Sequence, residues 1–252
     1  MSGRGGPLAG APGGPAGAAR PRRGGPLATA LAAAGAWLLE PAEPAREPVV
    51  SAPAPPRPVV AVFGLARGCG ATVVARALAA ELASRDVNGV AAVHCEARAA
   101  GIPLATHAAS RLARQLAEVH GAQTRAVGRL CLVGGAECAA VADTARHFAP
   151  LVLDAGAASL GGVPAALADE VVVVSGPSTE RALAAVAADC LARVGHDPIV
   201  VRNRVREPPG GGDEDAHALP ESRMGAQLAL GGREPRGELG RAIAELADRC
   251  QR

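Results

Sequence analysis

A chain of 252 residues with 49% apolar side chains can build one domain of ordinary size with a real core, plus an extension. The formal net charge of +2 argues against a nucleic-acid binder or a basic membrane-surface protein, and neither partner is expected. All 26 basic residues are arginine, and aromatics at 1% leave the core to Ala, Val and Leu.

The bias toward Ala, Gly, Pro and Arg suggests a GC-rich bacterial genome. Cys69, Cys95, Cys131, Cys138, Cys190 and Cys250 form no C-x-x-C pair and keep no metal-ligand spacing with histidine. They read as reduced, buried small residues, and the protein as cytoplasmic.

Residues 1–57 form the expected extension. Met1 to Pro26 has no periodicity and reads as disordered. Leu27 to Leu39, around the only tryptophan, Trp37, is shorter than the roughly 20 apolar residues of a transmembrane span and is expected to be a short docking helix. Prolines 41, 44, 48, 53, 55, 56 and 58 mark a stiff linker. The domain proper is expected over 58–252.

Val59, Val60, Ala61, Val62 and Phe63 make a continuous apolar run, the pattern of a strand covered on both faces. Gly64, Gly68 and Gly70 punctuate the turn that follows. Val74, Leu78 and Leu82 then recur every four residues along a helical face. The turn therefore sits at a helix N-terminus, where unpaired N–H groups and the helix dipole attract an anion. Three readings compete for it. G-x-x-x-x-G-K-[ST] can be laid on Leu65 to Thr72, with Leu65 at the first glycine and Ala71 at the lysine. A nicotinamide-binding reductase would use Gly64, Gly68 and Gly70 as its nucleotide turn, but the tyrosine and lysine of the short-chain dehydrogenases are residue types that this chain lacks. A plain strand-to-helix turn would bind nothing.

Downstream the chain alternates. A strand over Gly89 to Cys95 brings Glu96 to the sheet edge where open parallel sheets place their sites. A helix around Leu112, Leu116 and Val119 follows, then a strand at Leu130 to Val133, a helix over Ala139 to Phe148 and a strand at Leu151 to Asp154. Asp154 closes that strand as a magnesium-shell carboxylate or as a cap for the next turn. Glu96 and Asp154 are the candidate catalytic carboxylates. Val171 to Val174 is a strand, Thr179 to Val194 a helix, and Ile199 to Val201 a strand ending at Arg202-Asn203-Arg204. Arg206 to Asp215 reads as a surface loop. Leu239, Ile243, Leu246 and Cys250 mark one face of a last helix, whose mixed charges favour packing on the sheet over lipid binding.

Taken together, VVAVFGLARGCGATVVARALAAELA, LVLDAG, ADEVVVVSGPSTERAL and IVVRNRV resemble the ParA/MinD family of deviant P-loop ATPases over roughly Pro58 to Arg252. The resemblance implies a doubly wound α/β fold, with a mostly parallel sheet and helices on both faces. It implies ATP or ADP with magnesium, held by Arg67, Gly68, Cys69, Gly70, Ala71, Thr72 and Val73, with Thr72 and Asp154 toward the metal. Pro177 matches the family's proline, and Asn203 the asparagine that reads adenine. Ala66 and Ala71 stand where the family's signature and P-loop lysines belong. Gly68-Cys69-Gly70-Ala71-Thr72 looks like the lysine-free variant of the CpaE/TadZ pilus-assembly branch. These departures imply weak nucleotide binding and weak or absent hydrolysis, in a localisation or assembly factor that acts with protein partners. An active ATPase is the alternative. Because the signature lysine normally reaches into a partner's site across nucleotide, any homodimer is expected to be independent of ATP.

Overall fold

The strand Val59–Gly64 (β1) is buried along its whole length, and its side chains alternate between two cores. Val60 and Val62 enter one, Val59, Ala61 and Phe63 the other, as the period of two in a pleated strand requires. The structure, a computed structural model, describes residues 57–86, 89–94, 106–134, 137–157, 160, 162–179, 181–206 and 216–251. The segments expected within 1–56, Glu96 with Cys95, and most of the 206–215 loop lie outside these residues.

The described strands form one eight-stranded sheet in the order β3-β4-β2-β5-β1-β6-β7-β8. Besides β1 they are Ala91–His94 (β2), Gln123–Val127 (β3), Leu130–Gly134 (β4), Leu151–Gly156 (β5), Glu170–Ser175 (β6), Ile199–Val205 (β7) and His217–Pro220 (β8). All pairings are parallel except β3 with β4. This is the expected doubly wound, mostly parallel α/β fold. β1 lies where the strand order reverses, so its C-terminal end opens onto the crevice such sheets use for ligands.

The helices are Ala71–Arg85 (α1), His107–His120 (α2), Cys138–Ala145 (α3), Val163–Leu167 (α4), Arg181–Ala192 (α5), Arg223–Leu230 (α6) and Gly237–Arg249 (α7). α1, α6 and α7 cover one face of the sheet, and α2 to α5 the other. All four residues of the expected face, Leu239, Ile243 and Leu246 in α7 and Cys250 just past its end, are buried in the core shared with α1. The apolar face of α7 is thus taken up by packing, and no described helix is long and apolar enough to cross a membrane.

Several expectations shift. In α2 the buried face is Ala109, Leu112, Ala113 and Leu116, while Val119 is 64% exposed in the last turn, before Gly121 ends the helix in the left-handed region. The sequence pattern does not show β3, α4, β8 or α6. β8 is a four-residue edge strand that ends on Pro220, a position where a missing N–H costs no ladder bond. The signal for α6 is Ser222, whose side chain accepts from Gly225 N at 3.0 Å as an N-cap. The cysteines divide as well. Cys69, Cys131 and Cys250 are buried, and burial pushes the Cys131 and Cys250 thiols up to about 12. Cys138 is half-buried and Cys190 exposed on α5, so those two correct the expectation of a wholly buried set.

Candidate functional site

The loop between β1 and α1 is built by close backbone approach. At Gly64 a Cβ would lie 2.7 Å from Cys69 Sγ and 3.3 Å from the Gly156 carbonyl, so only glycine fits between the loop and β5. Gly70 caps α1 with φ 95° and ψ 18°, left-handed, and no side chain caps the helix. Its first N–H groups therefore face the loop, the arrangement that favours an anion.

Two β-bulges flank this loop at the C-terminal edge of the sheet. The first shifts the β1–β5 register between Val62 and Phe63, next to Asp154. The second shifts β7 against β8 between Asn203 and Val205, and Arg204 at the bulge takes φ 61°. A bulky residue with positive φ is uncommon, and bulges beside sites re-aim side chains. Here Arg204 Nη2 donates to the Gly68 carbonyl and Asn203 Nδ2 donates to the Cys69 carbonyl at 2.8 Å. β7 thus braces the loop from one side through two consecutive residues.

On the other side lies a cleft of about 920 Å³. It is lined by Arg67, Gly68, Cys69, Gly70, Ala71, Thr72, Val73 and Asp154, every phosphate-loop and metal candidate from the sequence, together with Ala66 and Gly64. Ala155, Gly156 and Ala157 continue the wall from Asp154, and Cys138 and Pro164 complete it, two residues that no local pattern marks. Among the described residues that line it, Arg67 is the cation, and it is exposed in the loop. Ala71, at the lysine position, is 6% exposed and carries no charge.

Asp154 Oδ1 accepts from Gly156 N at 3.1 Å, so the turn-capping role weighed from the sequence is realised. Asp154 still lines the cleft together with Thr72. A carboxylate and a hydroxyl are the hard oxygen donors that magnesium takes, and no described cluster of three or more His, Cys, Asp or Glu could hold a metal without help. Magnesium normally completes its shell with water and substrate phosphate, so this donor set fits Mg²⁺ arriving with a nucleotide.

Asn203 lies in β7, against the loop. Its amide is buried, with 8% of the residue exposed, and a Cβ on Gly70 would lie 2.1 Å from Nδ2. The amide is turned toward the phosphate loop, where it donates to the Cys69 carbonyl. Beyond it a second groove, of about 580 Å³, is lined by Gly176, Pro177, Arg202, Arg204, Arg206 and Glu221 as well as Asn203. The sequence signal for this groove was the run Arg202-Asn203-Arg204, charged residues following directly on an apolar strand.

No protein-family model and no curated protein matches the chain. Solved structures do. A ParA family ATPase from Chlorobium tepidum TLS is 18% identical with a TM-score of 0.51, over 76% of this chain and 98% of its own. The septum site-determining protein MinD of Pyrococcus horikoshii OT3, complexed with Mg-ADP, is 15% identical with a TM-score of 0.53, over 77% and 95%. A plasmid partition protein of Borrelia burgdorferi B31 bound to AMPPNP is 11% identical with a TM-score of 0.53, over 77% and 99%. At this level of identity the likeness is one of fold, and the chain has the ParA/MinD-type α/β fold of P-loop ATPases.

Proposed function

We propose that the chain is a ParA/MinD-type nucleotide-binding protein with a weakened site, acting in the cytoplasm as a localisation or assembly factor. The domain is 58–252, with 1–57 as its extension. The observation that carries this reading is a phosphate loop held in shape by Asn203 and Arg204, beside Thr72 and Asp154, with alanine at both lysine positions.

Magnitudes separate weakened from lost. Two unit charges about 4 Å apart attract by roughly 4 kcal/mol at an effective dielectric of 20, before desolvation is subtracted. Loss of the P-loop lysine then lowers affinity by about two orders of magnitude, since about 1.4 kcal/mol is a factor of ten. The backbone N–H groups of the loop survive that loss, and Arg67 returns part of the charge, although a planar guanidinium does not replace an ammonium sterically. Hydrolysis suffers more, because charge developing in the transition state needs groups aimed at it. Bound magnesium would neutralise phosphate charge. In this chain Thr72 and Asp154 would hold it, and the loop amides would orient the phosphates.

Calorimetry of the purified protein with millimolar ATP or ADP and magnesium should give binding in the micromolar range or weaker. A flat trace for both nucleotides would leave a scaffold that binds none. Association follows from Ala66: without a lysine to reach across nucleotide, any homodimer should be the same with and without ATP by light scattering. A clear ATP-driven shift from monomer to dimer would contradict this. The lysine-free loop supports a place in the CpaE/TadZ branch, serving a type IV-like pilus or secretion machine. Genes for a pilus ATPase and prepilins beside its own are the expected neighbours, and their absence would remove that part of the proposal.

A further inference from the structure

The charges around the cleft decide how long a phosphate chain it favours. Among the described residues that line it, the ionisable side chains are Arg67, Asp154 and Cys138. Burial pushes the Cys138 thiol up, which keeps it neutral at neutral pH. One guanidinium and one carboxylate then cancel, so the field that favours a phosphate comes from the backbone. The ladder of α1 starts with Val74 N donating to the Gly70 carbonyl at 3.0 Å, which leaves the N–H groups of Ala71, Thr72 and Val73 to the cleft.

That donor set is short. A helix end carries about half an elementary charge, and its effect falls off within the first turn, so it suits one phosphate group on the loop and not a further one along the chain. In a P-loop the lysine reaches the β- and γ-phosphates. Here that position is the buried Ala71, and Ala66 leaves the loop's other lysine position uncharged as well. Arg67 is exposed, where water screens its attraction for phosphate. Asp154 lines the same cleft and opposes each added negative charge. Magnesium would offset that opposition for both nucleotides.

We infer that this cleft takes a nucleoside diphosphate at least as tightly as a triphosphate, so that it holds nucleotide without reading its phosphorylation state. The inference rests on the nucleotide reading above and names the ligand class: Ala71 sets the preference by withholding the charge that a γ-phosphate needs. A γ-phosphate brings one more charge to desolvate and receives only the exposed Arg67 in return. ADP and ATP then act alike on the protein, as a standing ligand and not as a switch.

The test is calorimetry of the full chain in magnesium buffer with AMP, ADP and ATP. ADP should bind as tightly as ATP within about threefold, or more tightly, and AMP, which has no β-phosphate for the loop amides, at least about tenfold more weakly than ADP. Ala71→Lys should shift the balance toward ATP by at least about tenfold, about 1.4 kcal/mol. Ala66→Lys, at a half-buried position on the same cleft, should shift it the same way and serves if Ala71→Lys does not fold. ATP binding more than about threefold tighter than ADP in the unaltered chain would overturn the inference and leave the nucleotide reading standing. AMP binding as well as ADP would overturn it by taking the phosphate chain off the loop. Folded lysine variants with an unchanged ratio would overturn the role given to the missing charge. Binding of none of the three would overturn the nucleotide reading and this inference with it.

Discussion

Gly70→Ala should abolish detectable nucleotide binding and lower the melting temperature by about 5–10 °C, whereas Gly68→Ala, two residues away, should cost about half to two-thirds of that. Both glycines have positive φ, 95° and 75°, so both substitutions incur backbone strain, about 1–2 kcal/mol for an L-residue in the left-handed region. They differ in what a Cβ would meet. At Gly68 there is nothing within 4 Å. At Gly70 it would lie 2.1 Å from Asn203 Nδ2, and that amide can retreat only by giving up its bond to the Cys69 carbonyl. Loss of that buried bond adds about 1 kcal/mol or more. The sum is about 2–3 kcal/mol, and a domain of this size loses roughly 2–4 °C per kcal/mol. Binding falls further than stability because the displaced brace is what holds the loop amides in place. Thermal unfolding and calorimetry of the two variants side by side decide the matter. Equal melting temperatures would show that Asn203 does not brace the loop.

What the sequence could convey follows from the range over which each feature is encoded. β1 is legible because five consecutive apolar residues need only a sheet buried on both faces, and α7 because its apolar residues recur on one face of a helix. β3 and β8 are edge strands whose polar residues, Gln123 and Thr124 in one and His217 in the other, fit a half-exposed surface and carry no buried run. The phosphate loop was readable from its glycines, since left-handed backbone and close approach demand that residue type. The positions of Asn203 and Arg204 were not. They depend on a register shift between β7 and β8, a property of two strands together that neither segment contains alone. Resemblance singles out Asn203, but the buried hydrogen bond from its amide to the Cys69 carbonyl is a property of the folded chain that no segment conveys. The arginine-rich groove was missed for the same reason. Glu221 reaches it only because β8 pairs in parallel with β7, which brings residues 202–205 beside 218–220 and Glu221 next to them.

Ala71→Lys should tighten nucleotide binding by about two orders of magnitude without creating fast hydrolysis. Ala71 is the first residue of α1, next to Thr72 on the wall of the cleft. An aliphatic stem can lie along that wall and deliver its ammonium to phosphate, as long basic side chains commonly do. The gain follows from roughly 4 kcal/mol of attraction at about 4 Å and an effective dielectric of 20, less desolvation. That attraction acts on the bound ground state as strongly as on the transition state, and uniform binding lowers the dissociation constant without lowering the chemical barrier. Charge developing on the leaving oxygen would still lack a second ammonium aimed at it, because the loop offers alanine at position 66 and the cleft's cation, Arg67, carries a planar guanidinium that does not replace an ammonium sterically. On the proposed reading Asp154, whose Oδ1 accepts from the Gly156 N–H, would hold the magnesium shell. Calorimetry should therefore show the tighter constant while steady-state phosphate release stays near background. A single mutant that hydrolyses ATP at the rate of an ordinary ParA-type enzyme would show that the rest of the machinery is intact, and that one missing lysine is all that separates this protein from an ATPase.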